Sequence, residues 1–515
     1  MKRNLLLLIS AACVHGAVFD VTNYGAKGDG KTLEREAINK AVTAAAAAGG
    51  GTVYVPPGTY VTGSIQLHSN ITLQIERGAT LEATADQTAY DAAEPNQWTQ
   101  FQDFGHSHWH NSLIWGDGVE NVAITGGGLI LGKGLGRGNG PDKTIAFKLS
   151  HNVTIRDISI LNGGHFGILV TGVDNLTIEN IKIDTNRDGI DIDSCRNVRI
   201  ADSSVNSPND DAIVFKGSYA LGAARPTENV TIVNCLVSGY DIGSLLDGTF
   251  KRTMARAPDR DGPTGRVKIG TETNGDFRNF TISNVVFDRS RGLALEAVDG
   301  GHIEDIAVSN LTMRDVSNAP IFIRLGSRQR APEGTAVGSI RRVSISNVVV
   351  SNADPRYGSI IAGVPGHDVE DVKLSGIRMQ YRGGLTLEQV AKQPADVVNT
   401  FFFRGGIPPR EPYETPEREK EYPEPSMFGL LPAYGFTIRH ASGIDLSDVK
   451  VGYDTEDRRP AFVLDDVKGS EFHHVQAQTA AGVPGYVLLH VENLTFDHAA
   501  PAADGHIGAV ARKDM

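Results

Sequence analysis

The chain has 515 residues, of which 40% are hydrophobic and 7% aromatic, and 49 Lys and Arg against 61 Asp and Glu give it a net charge of -12. This apolar fraction excludes a disordered chain, because such chains cannot bury enough apolar surface to offset their ordering entropy. The acidic balance, without clustered Lys and Arg, argues against a nucleic-acid partner. Length alone would suggest about three domains.

The first residues are typical of a secretory signal. Lys2 and Arg3 precede an apolar run over residues 5–14, and small residues lead to an expected cleavage near Ala17. The run is too short to span a bilayer, and no later segment is apolar for about 18 residues, so we expect no membrane span. We predict a signal peptide over residues 1–17 and an exported protein, periplasmic or extracellular. Lipid anchoring at Cys13 is the alternative.

Two cysteines remain after the signal, Cys195 and Cys235. They allow at most one disulfide, and two buried thiols are the other interpretation.

A helix is predicted at the start of the remaining chain. Residues 34–51 are rich in helix formers, with Thr32 as the expected N-cap and glycines as the stop. We expect this helix to cover an open end of the fold, where an unpaired strand edge would invite aggregation.

A short repeat organises the rest of the chain. The phrase consists of Asn, a β-branched residue or Leu, a polar residue, and Ile or Leu. It begins at Asn70, Asn121, Asn152, Asn175, Asn197, Asn229 and Asn279, and related phrases begin at Val343 and Val372. The alternation predicts half-buried strands, and Asn or Gly stands where the chain turns.

The spacing of these phrases predicts the fold. Asn152, Asn175 and Asn197 are 23 and 22 residues apart, and such a period with short strands is typical of a solenoid. We therefore predict an all-β, right-handed parallel β-helix as a single domain over residues 18–515, with loop insertions at about 236–265 and 384–427. Within the second insertion, the Pro-rich residues 407–425 are expected to form an exposed loop, with a lid over a groove as the alternative.

Acidic residues concentrate where the period is most regular. Asp188 and Asp210 are 22 residues apart, so we expect them on adjacent coils about 4.8 Å apart, with Asp211 beside them. Close stacking raises the pKa of at least one carboxyl. One protonated acid beside ionised partners is what cleavage of a glycosidic bond needs. The alternative for any single Asp is a turn residue.

These motifs carry a family resemblance. Asp188-Gly189 followed by Asp210-Asp211 on a β-helix repeat resembles the polygalacturonase-like glycoside hydrolases of family 28, and FDVTNYGAKGDG from Phe19 resembles the start of pectin-active β-helix enzymes. The resemblance implies an inverting hydrolase of rhamnogalacturonan or galacturonan backbones. It implies that Asp210 is the general acid and that Asp188 and Asp211 hold and activate the water. It implies no metal and no cofactor.

The chain also departs from the family pattern. Asn186 and Arg187 precede Asp188 where the family has Asn-Thr, and no histidine stands in GPTGRVKIGTETNG, where the family has Gly-His-Gly. The family's Arg-Ile-Lys, which grips a galacturonate carboxylate, is replaced at two positions by Ala294 and Glu296. Because Glu296 would repel a uronate, we hypothesise that the cleaved unit is neutral, such as rhamnose, with galacturonate bound further along.

Several other residues are candidate substrate contacts. Lys216, Arg266 and Lys268 would replace the missing clamp, with solvated surface charges as the alternative. His165 lies 23 residues before Asp188 and is expected one coil away.

A histidine-rich segment adds two more candidates. His106, His108 and His110 alternate, so on a strand they would share one face. We favour the interpretation that His110 and Trp109 contact the sugar. A metal site, or packing beneath a loop, is the alternative. The glycine-rich run from Gly132 is interpreted as a turn between coils.

Three functions remain open. The Asp trio favours the hydrolase, while a polysaccharide lyase on the same scaffold would abstract a proton with Arg or Lys. A binding β-helix such as an adhesin would leave the acids incidental. A pectic polysaccharide is the expected partner, and we expect a monomer.

Overall fold

The computed structural model describes residues 16–138, 140–257, 261–398 and 406–515. Within these ranges the chain forms 34 strands and two α-helices. Most of the predicted signal peptide, including Cys13, lies outside the described residues. The described part contains no helix long and apolar enough to cross a membrane.

The strands of the first half are short. They are β1 (Val18–Asp20), β2 (Asp29–Leu33), β3 (Gly51–Val55), β4 (Gly58–Thr62), β5 (Ile65–Gln66), β6 (Ile71–Ile75), β7 (Ala79–Ala83), β8 (Ile114–Asp117), β9 (Glu120–Thr125), β10 (Leu129–Leu131), β11 (Lys143–Lys148), β12 (His151–Arg156), β13 (Ser159–Leu161), β14 (Phe166–Thr171), β15 (Asp174–Glu179), β16 (Lys182–Asp184), β17 (Asp188–Asp193), β18 (Arg196–Ala201), β19 (Ser204–Asn206), β20 (Ile213–Gly217), β21 (Thr227–Val233) and β22 (Leu236–Ser238).

Longer strands appear in the second half. They are β23 (Val267–Thr273), β24 (Phe277–Asp288), β25 (Leu293–Ala297), β26 (His302–Arg314), β27 (Ile321–Leu325), β28 (Ser339–Ala353), β29 (Ser359–Ala362), β30 (Val369–Gly383), β31 (Phe436–Thr455), β32 (Phe462–Ala477), β33 (Tyr486–Asp497) and β34 (Gly505–Asp514). The two helices are α1 (Arg35–Ala47) and α2 (Leu387–Lys392).

In the first half each coil adds one strand to each of three parallel ladders, and from β24 onward one long strand spans two of these ladders. The ladder that matters for the site runs β8, β11, β14, β17, β20, β23, β25, β27, β29. Inward-facing Val, Ile, Leu and Phe from successive coils form one continuous core. The fold is the parallel β-helix that the repeat predicted.

The repeated asparagines stack into a ladder of their own. The Asn152 side chain donates to Asn121 at 2.9 Å, Asn175 donates to Asn152 at 3.0 Å, and Asn197 donates to Asn175 at 3.0 Å. These asparagines have positive φ, between 55° and 58°, which Asn tolerates better than other non-glycine residues. The phrase therefore marks both a turn and a contact between coils.

An additional element lies at each end of the β-helix. Helix α1 buries an apolar face formed by Ile38, Ala41, Val42 and Ala45. The predicted N-cap is wrong: Thr32 lies in β2, its hydroxyl donates to Asp29, and Glu34 occupies the cap position. At the other end, β34 pairs antiparallel with β33.

The two cysteines are buried and free, as the interpretation of two thiols predicted. Burial raises the pKa of the Cys235 thiol to about 11.

Candidate active site

The acidic segment lies on two neighbouring coils of the site ladder. Asp188 opens β17, and Asp211 stands two residues before β20. Ile190 pairs with Ile213, so the local offset is 23 residues and Asp188 lies level with Asp211. The expected register with Asp210 is therefore off by one residue. The chain from Asn206 to Ile213 is one residue longer than the equivalent stretch from Asp184 to Ile190 on the coil before. The Asp211 backbone N–H donates to an Asp188 carboxylate oxygen at 3.3 Å.

These carboxyls open into a cavity of about 300 Å³ that is lined mainly by charged groups. Its lining includes Asp103, His106, Arg137, His165, Arg187, Asp188, Asp210, Asp211, Lys216, Arg266, Lys268, Arg291, Tyr422 and Glu424. Six basic side chains thus face five carboxyls, which suits an anionic ligand.

Asp188 lies in an environment that favours its protonated form. Burial raises its pKa well above the usual value, and the neighbouring Asp210, Asp191 and Asp211 raise it further. Asp191 lies three residues along the same strand, and burial raises its pKa as well. The expectation that stacking raises at least one carboxyl pKa therefore holds at Asp188.

Asp211 has the opposite environment. Lys268 Nζ lies 2.5 Å from one of its carboxylate oxygens, and Arg266 Nε donates to the other at 2.6 Å. Although burial alone would raise the pKa of Asp211, these two cations hold it below the usual range. The pKa values of the two carboxyls on adjacent coils are therefore shifted in opposite directions.

Asp210 is paired with Arg187, whose guanidinium contacts one carboxylate oxygen. Both side chains are about a fifth exposed, at 19% and 23%, and both line the cavity. The residue that departs from the family's Asn-Thr pattern thus contacts the expected general acid directly.

His165 adjoins the same carboxyls, as the one-coil spacing predicted. One nitrogen of His165 and one oxygen each of Asp188 and Asp210 lie within 4.8 Å of one another. Burial, with Arg187 nearby, lowers the pKa of His165 to about 2, so the imidazole is neutral. The neutral ring can therefore donate a hydrogen bond from one nitrogen and accept one at the other.

Lys216, Arg266 and Lys268 are all buried cavity residues. The alternative of solvated surface charges is therefore wrong for each. Lys216 Nζ contacts Glu272 at 2.7 Å, while Arg266 Nη1 contacts Glu424 at 3.0 Å. Each cation is held by a carboxylate of a different strand or loop.

Glu296 lies elsewhere than expected. It does not line the cavity, and it is fully buried 3.8 Å from Arg266. Neither carboxylate oxygen has a hydrogen-bond partner among the described residues. Burial raises the pKa of Glu296 to about 7, so it does not stand before a bound sugar as a repelling charge.

The histidine-rich segment is not a strand. A 3-10 helix spans Phe104–Ser107, so the three histidines do not share one face, and only His106 lines the cavity. Burial lowers the pKa of His106 to about 3. His106 Nε2 lies 3.7 Å from Asp191.

Of the two contacts favoured in that segment, the one by Trp109 is wrong, whereas the one by His110 stays a prediction, because His110 does not line the cavity but is partly exposed. Trp109 is fully buried, donates from Nε1 to Thr171 at 3.0 Å, and packs in a small apolar cluster away from the cavity. His110 lies 3.0 Å from Asp117 and 3.8 Å from Glu94. These three groups could ligate a metal, but Lys148 Nζ already lies 3.7 Å from both carboxylates.

The Pro-rich segment forms part of the site. Tyr422 and Glu424 line the cavity, and the amide of Asn318 donates to Glu424 at 3.0 Å. The end of the segment therefore lines the cavity, while a lid over a groove stays a prediction. Sequence reasoning missed Tyr422 and Glu424 as cavity residues, because the loop that carries them has no period to place them on a coil.

Comparison with known proteins supports the same relationship. Residues 18–130 match the family described as Rhamnogalacturonase A/epimerase, pectate lyase-like, and residues 138–250 match the right-handed β-helix region. The chain is 27% identical over 320 residues to a probable polygalacturonase of Vitis vinifera, covering 57% of this chain and 60% of the relative. It is 28% identical over 413 residues to a polygalacturonase of Gossypium barbadense, covering 74% and 88%.

A solved structure shows the same architecture. The family 28 exopolygalacturonase of Yersinia enterocolitica superposes with a TM-score of 0.60 at 17% identity, covering 95% of this chain and 79% of that one. The right-handed parallel β-helix and the resemblance to polygalacturonases that the motifs indicated are both confirmed.

Proposed function

We propose that this chain, a relative of the polygalacturonases, is an inverting glycoside hydrolase that cleaves pectic polysaccharide. The observation that carries the proposal is the meeting of Asp188, Asp210 and Asp211 in one cation-lined cavity. Their environments differ, which is how two carboxyls on one fold take the acid role and the base role.

The roles are those that the family resemblance implies. Asp210 protonates the leaving oxygen, and Asp188 and Asp211 hold the water on the opposite side of the sugar. Asp188 and Asp210 have oxygens within 4.8 Å of each other, so the charge of one carboxyl affects the other. The direct attack of water predicts inversion at the anomeric carbon.

A lyase mechanism fits the site less well. A lyase needs a neutral Lys or Arg as the base, whereas nearby carboxylates raise the pKa values of Lys216 and Lys268 despite their burial. Arg266, held by Asp211 and Glu424, is likewise kept protonated, with its pKa well above the usual value. None of the three buried cations is poised to accept a proton.

Galacturonate is the unit that suits the cavity best. The neutral-sugar hypothesis rested on the loss of the family's clamp and on repulsion by Glu296, yet Glu296 lies outside the cavity and six basic side chains line it. Binding of an anionic sugar restores the balance of charge there. We therefore place galacturonan ahead of rhamnogalacturonan.

Exo attack is favoured by the closure of the cavity. The segment carrying Tyr422 and Glu424 covers one side, and Arg330 links two loops by contacting Asp103 at 2.9 Å. A covered pocket accepts the end of a polymer more readily than its middle.

Export completes the proposal. The predicted cleavage near Ala17 lies immediately before β1, which starts at Val18, so removal of the signal leaves the fold intact. N-terminal sequencing of the protein recovered outside the cytoplasm should start at Val18.

Product analysis with an acid variant tests the function. The wild-type protein is incubated with polygalacturonan and, separately, with rhamnogalacturonan, and NMR follows the first products. We expect galacturonate monomer released with inverted configuration, and Asp210→Asn should lower the rate about a hundredfold or more.

The matched control is Asp202→Asn. Asp202 is an exposed aspartate that does not line the cavity and accepts a hydrogen bond from Asn234 on the next coil. An unsaturated product would identify a lyase. Full activity in Asp210→Asn would contradict the hydrolase mechanism.

A further inference from the structure

The cavity lacks the family's uronate clamp but contains a basic residue in a position that the family does not use. Arg187 contacts Asp210 through one end of its guanidinium. Its Nε is buried and has no hydrogen-bond partner among the described residues. The Arg187 side chain lines the cavity and is 19% exposed, and a guanidinium that reaches a cavity is suited to bind a planar carboxylate through two hydrogen bonds.

The other buried cations near the acids are already occupied. Lys268 and Arg266 bind the two oxygens of Asp211, and Lys216 binds Glu272. Taking any of them for substrate would remove one of the two cations that hold a buried carboxylate, Asp211 or Glu272, which is costly. Arg187 differs because its partner is partly exposed and needs to lose its negative charge before it can donate a proton.

We propose that Arg187 is the specificity-determining residue for the substrate carboxylate, and that the galacturonate carboxylate displaces Asp210 from it. This inference rests on the proposed hydrolase function. It assigns to a residue next to Asp188 the task that Arg-Ile-Lys performs on another coil in the family.

The exchange of partners also prepares the acid. Before binding, Arg187 and Asp210 form an ion pair and the proton is on Asp188. When the sugar carboxylate takes the guanidinium, the proton moves from an Asp188 oxygen to an Asp210 oxygen, which lie within 4.8 Å of each other. Only O–H bonds change, and the total charge is conserved. Asp210 is then the acid and Asp188 the base.

The first test compares an oligogalacturonide with its methyl ester of the same length, which lacks the charge. We expect Arg187→Gln to lower kcat/KM for the acid about 10- to 100-fold, as is typical of a lost charge-assisted hydrogen bond, and to change that for the ester little. Arg187→Lys should recover part of the preference. An equal loss on both substrates would overturn the inference and leave the hydrolase function standing.

The control is Arg225→Gln, which removes another partly buried arginine, paired with Asp174 at 2.6 Å outside the cavity. It should leave the preference for acid over ester unchanged. If the wild-type protein hydrolyses neither substrate, the proposed function fails. The role of Arg187 in binding the carboxylate is then tested by measuring ligand binding instead of activity.

Calorimetric binding of galacturonic acid, with galactose as the neutral reference, gives that second measurement. Arg187→Gln should abolish the preference for galacturonic acid. Asp210→Asn should bind galacturonic acid about tenfold tighter than wild type, because the competing carboxylate is gone. Equal or weaker binding by Asp210→Asn, or no preference in the wild type, would overturn the exchange of partners.

Discussion

At the scale of a single residue, Glu296 makes the stability of the folded protein depend on pH. Its pKa is raised from 4.5 to about 7 by burial, which outweighs the opposing effect of Arg266 and Lys268. Since the folded-state pKa lies above the unfolded value, the folded protein binds the extra proton. The stabilising contribution is complete below pH 4.5 and is lost as pH rises through about 7.

Glu296→Gln should remove this dependence. A neutral amide keeps the shape of the protonated acid, so we expect the free energy of unfolding of the variant to fall less than that of wild type between about pH 4.5 and about pH 8. The difference between the two falls should reach up to roughly 3 kcal/mol, from about 1.4 kcal/mol for each unit of pKa shift.

Urea unfolding at several pH values measures the difference. Glu304→Gln, a carboxyl on the neighbouring strand that is held by Arg341 and Arg342, is the control for a general loss of negative charge. Parallel pH curves for Glu296→Gln and wild type would contradict the assignment.

The asparagine ladder shows what the repeat does at the scale of an element. Asn175 donates to Asn152 and accepts from Asn197, and its φ is 58°. An alanine there loses both hydrogen bonds and strains the backbone. A glycine loses the hydrogen bonds but accepts the positive φ.

The two substitutions should therefore separate the contributions. Asn175→Ala is expected to lower the free energy of unfolding by about 2–3 kcal/mol and Asn175→Gly by about 1–2 kcal/mol. Chemical denaturation of both variants measures this. Equal losses would show that the φ angle contributes nothing, and no loss in Asn175→Gly would show that the ladder is incidental.

The ends of the solenoid matter at the scale of the whole molecule. Strand β34 pairs antiparallel with β33 across eight residue pairs, yet its own side chains are mostly exposed. It contributes little to the core and instead covers the last strand edge, which would otherwise pair with other chains.

Truncation after Asp504 should therefore cause association more than unfolding. We expect light scattering to show assembly that increases with concentration, while circular dichroism at low concentration remains that of a β-rich fold. The full chain at the same concentrations is the control. A truncated chain that stays monodisperse at high concentration would show that β34 has no protective role.

Much of the fold could be predicted from the sequence. The alternation of apolar and polar residues and the period near 22 residues both come from a strand stacking on its equivalent one coil later, so they are visible in the chain itself. The acids at Asp188, Asp210 and Asp211 were predictable for the same reason, since they occur on this period. The register with Asp210 was off by one residue, because one extra residue in a turn does not disturb the hydrophobic pattern.

Other parts of the site depended on the tertiary structure. Trp109 and Lys216 have residue types that fit both a binding surface and a buried position, and only packing decides between them. Tyr422 and Glu424 reach the cavity from more than 200 residues beyond Asp210, by way of a loop without periodicity.

The sequence by itself determined the solenoid, its repeated asparagines and the three acids, because each is a local pattern repeated from coil to coil. Only the tertiary structure decided which cations hold Asp211, that Arg187 contacts Asp210, and that Glu296 stays out of the cavity. The physical reason is that the charge state of a carboxyl depends on burial and on neighbours a few ångströms away. In this molecule several of those neighbours come from distant coils and loops.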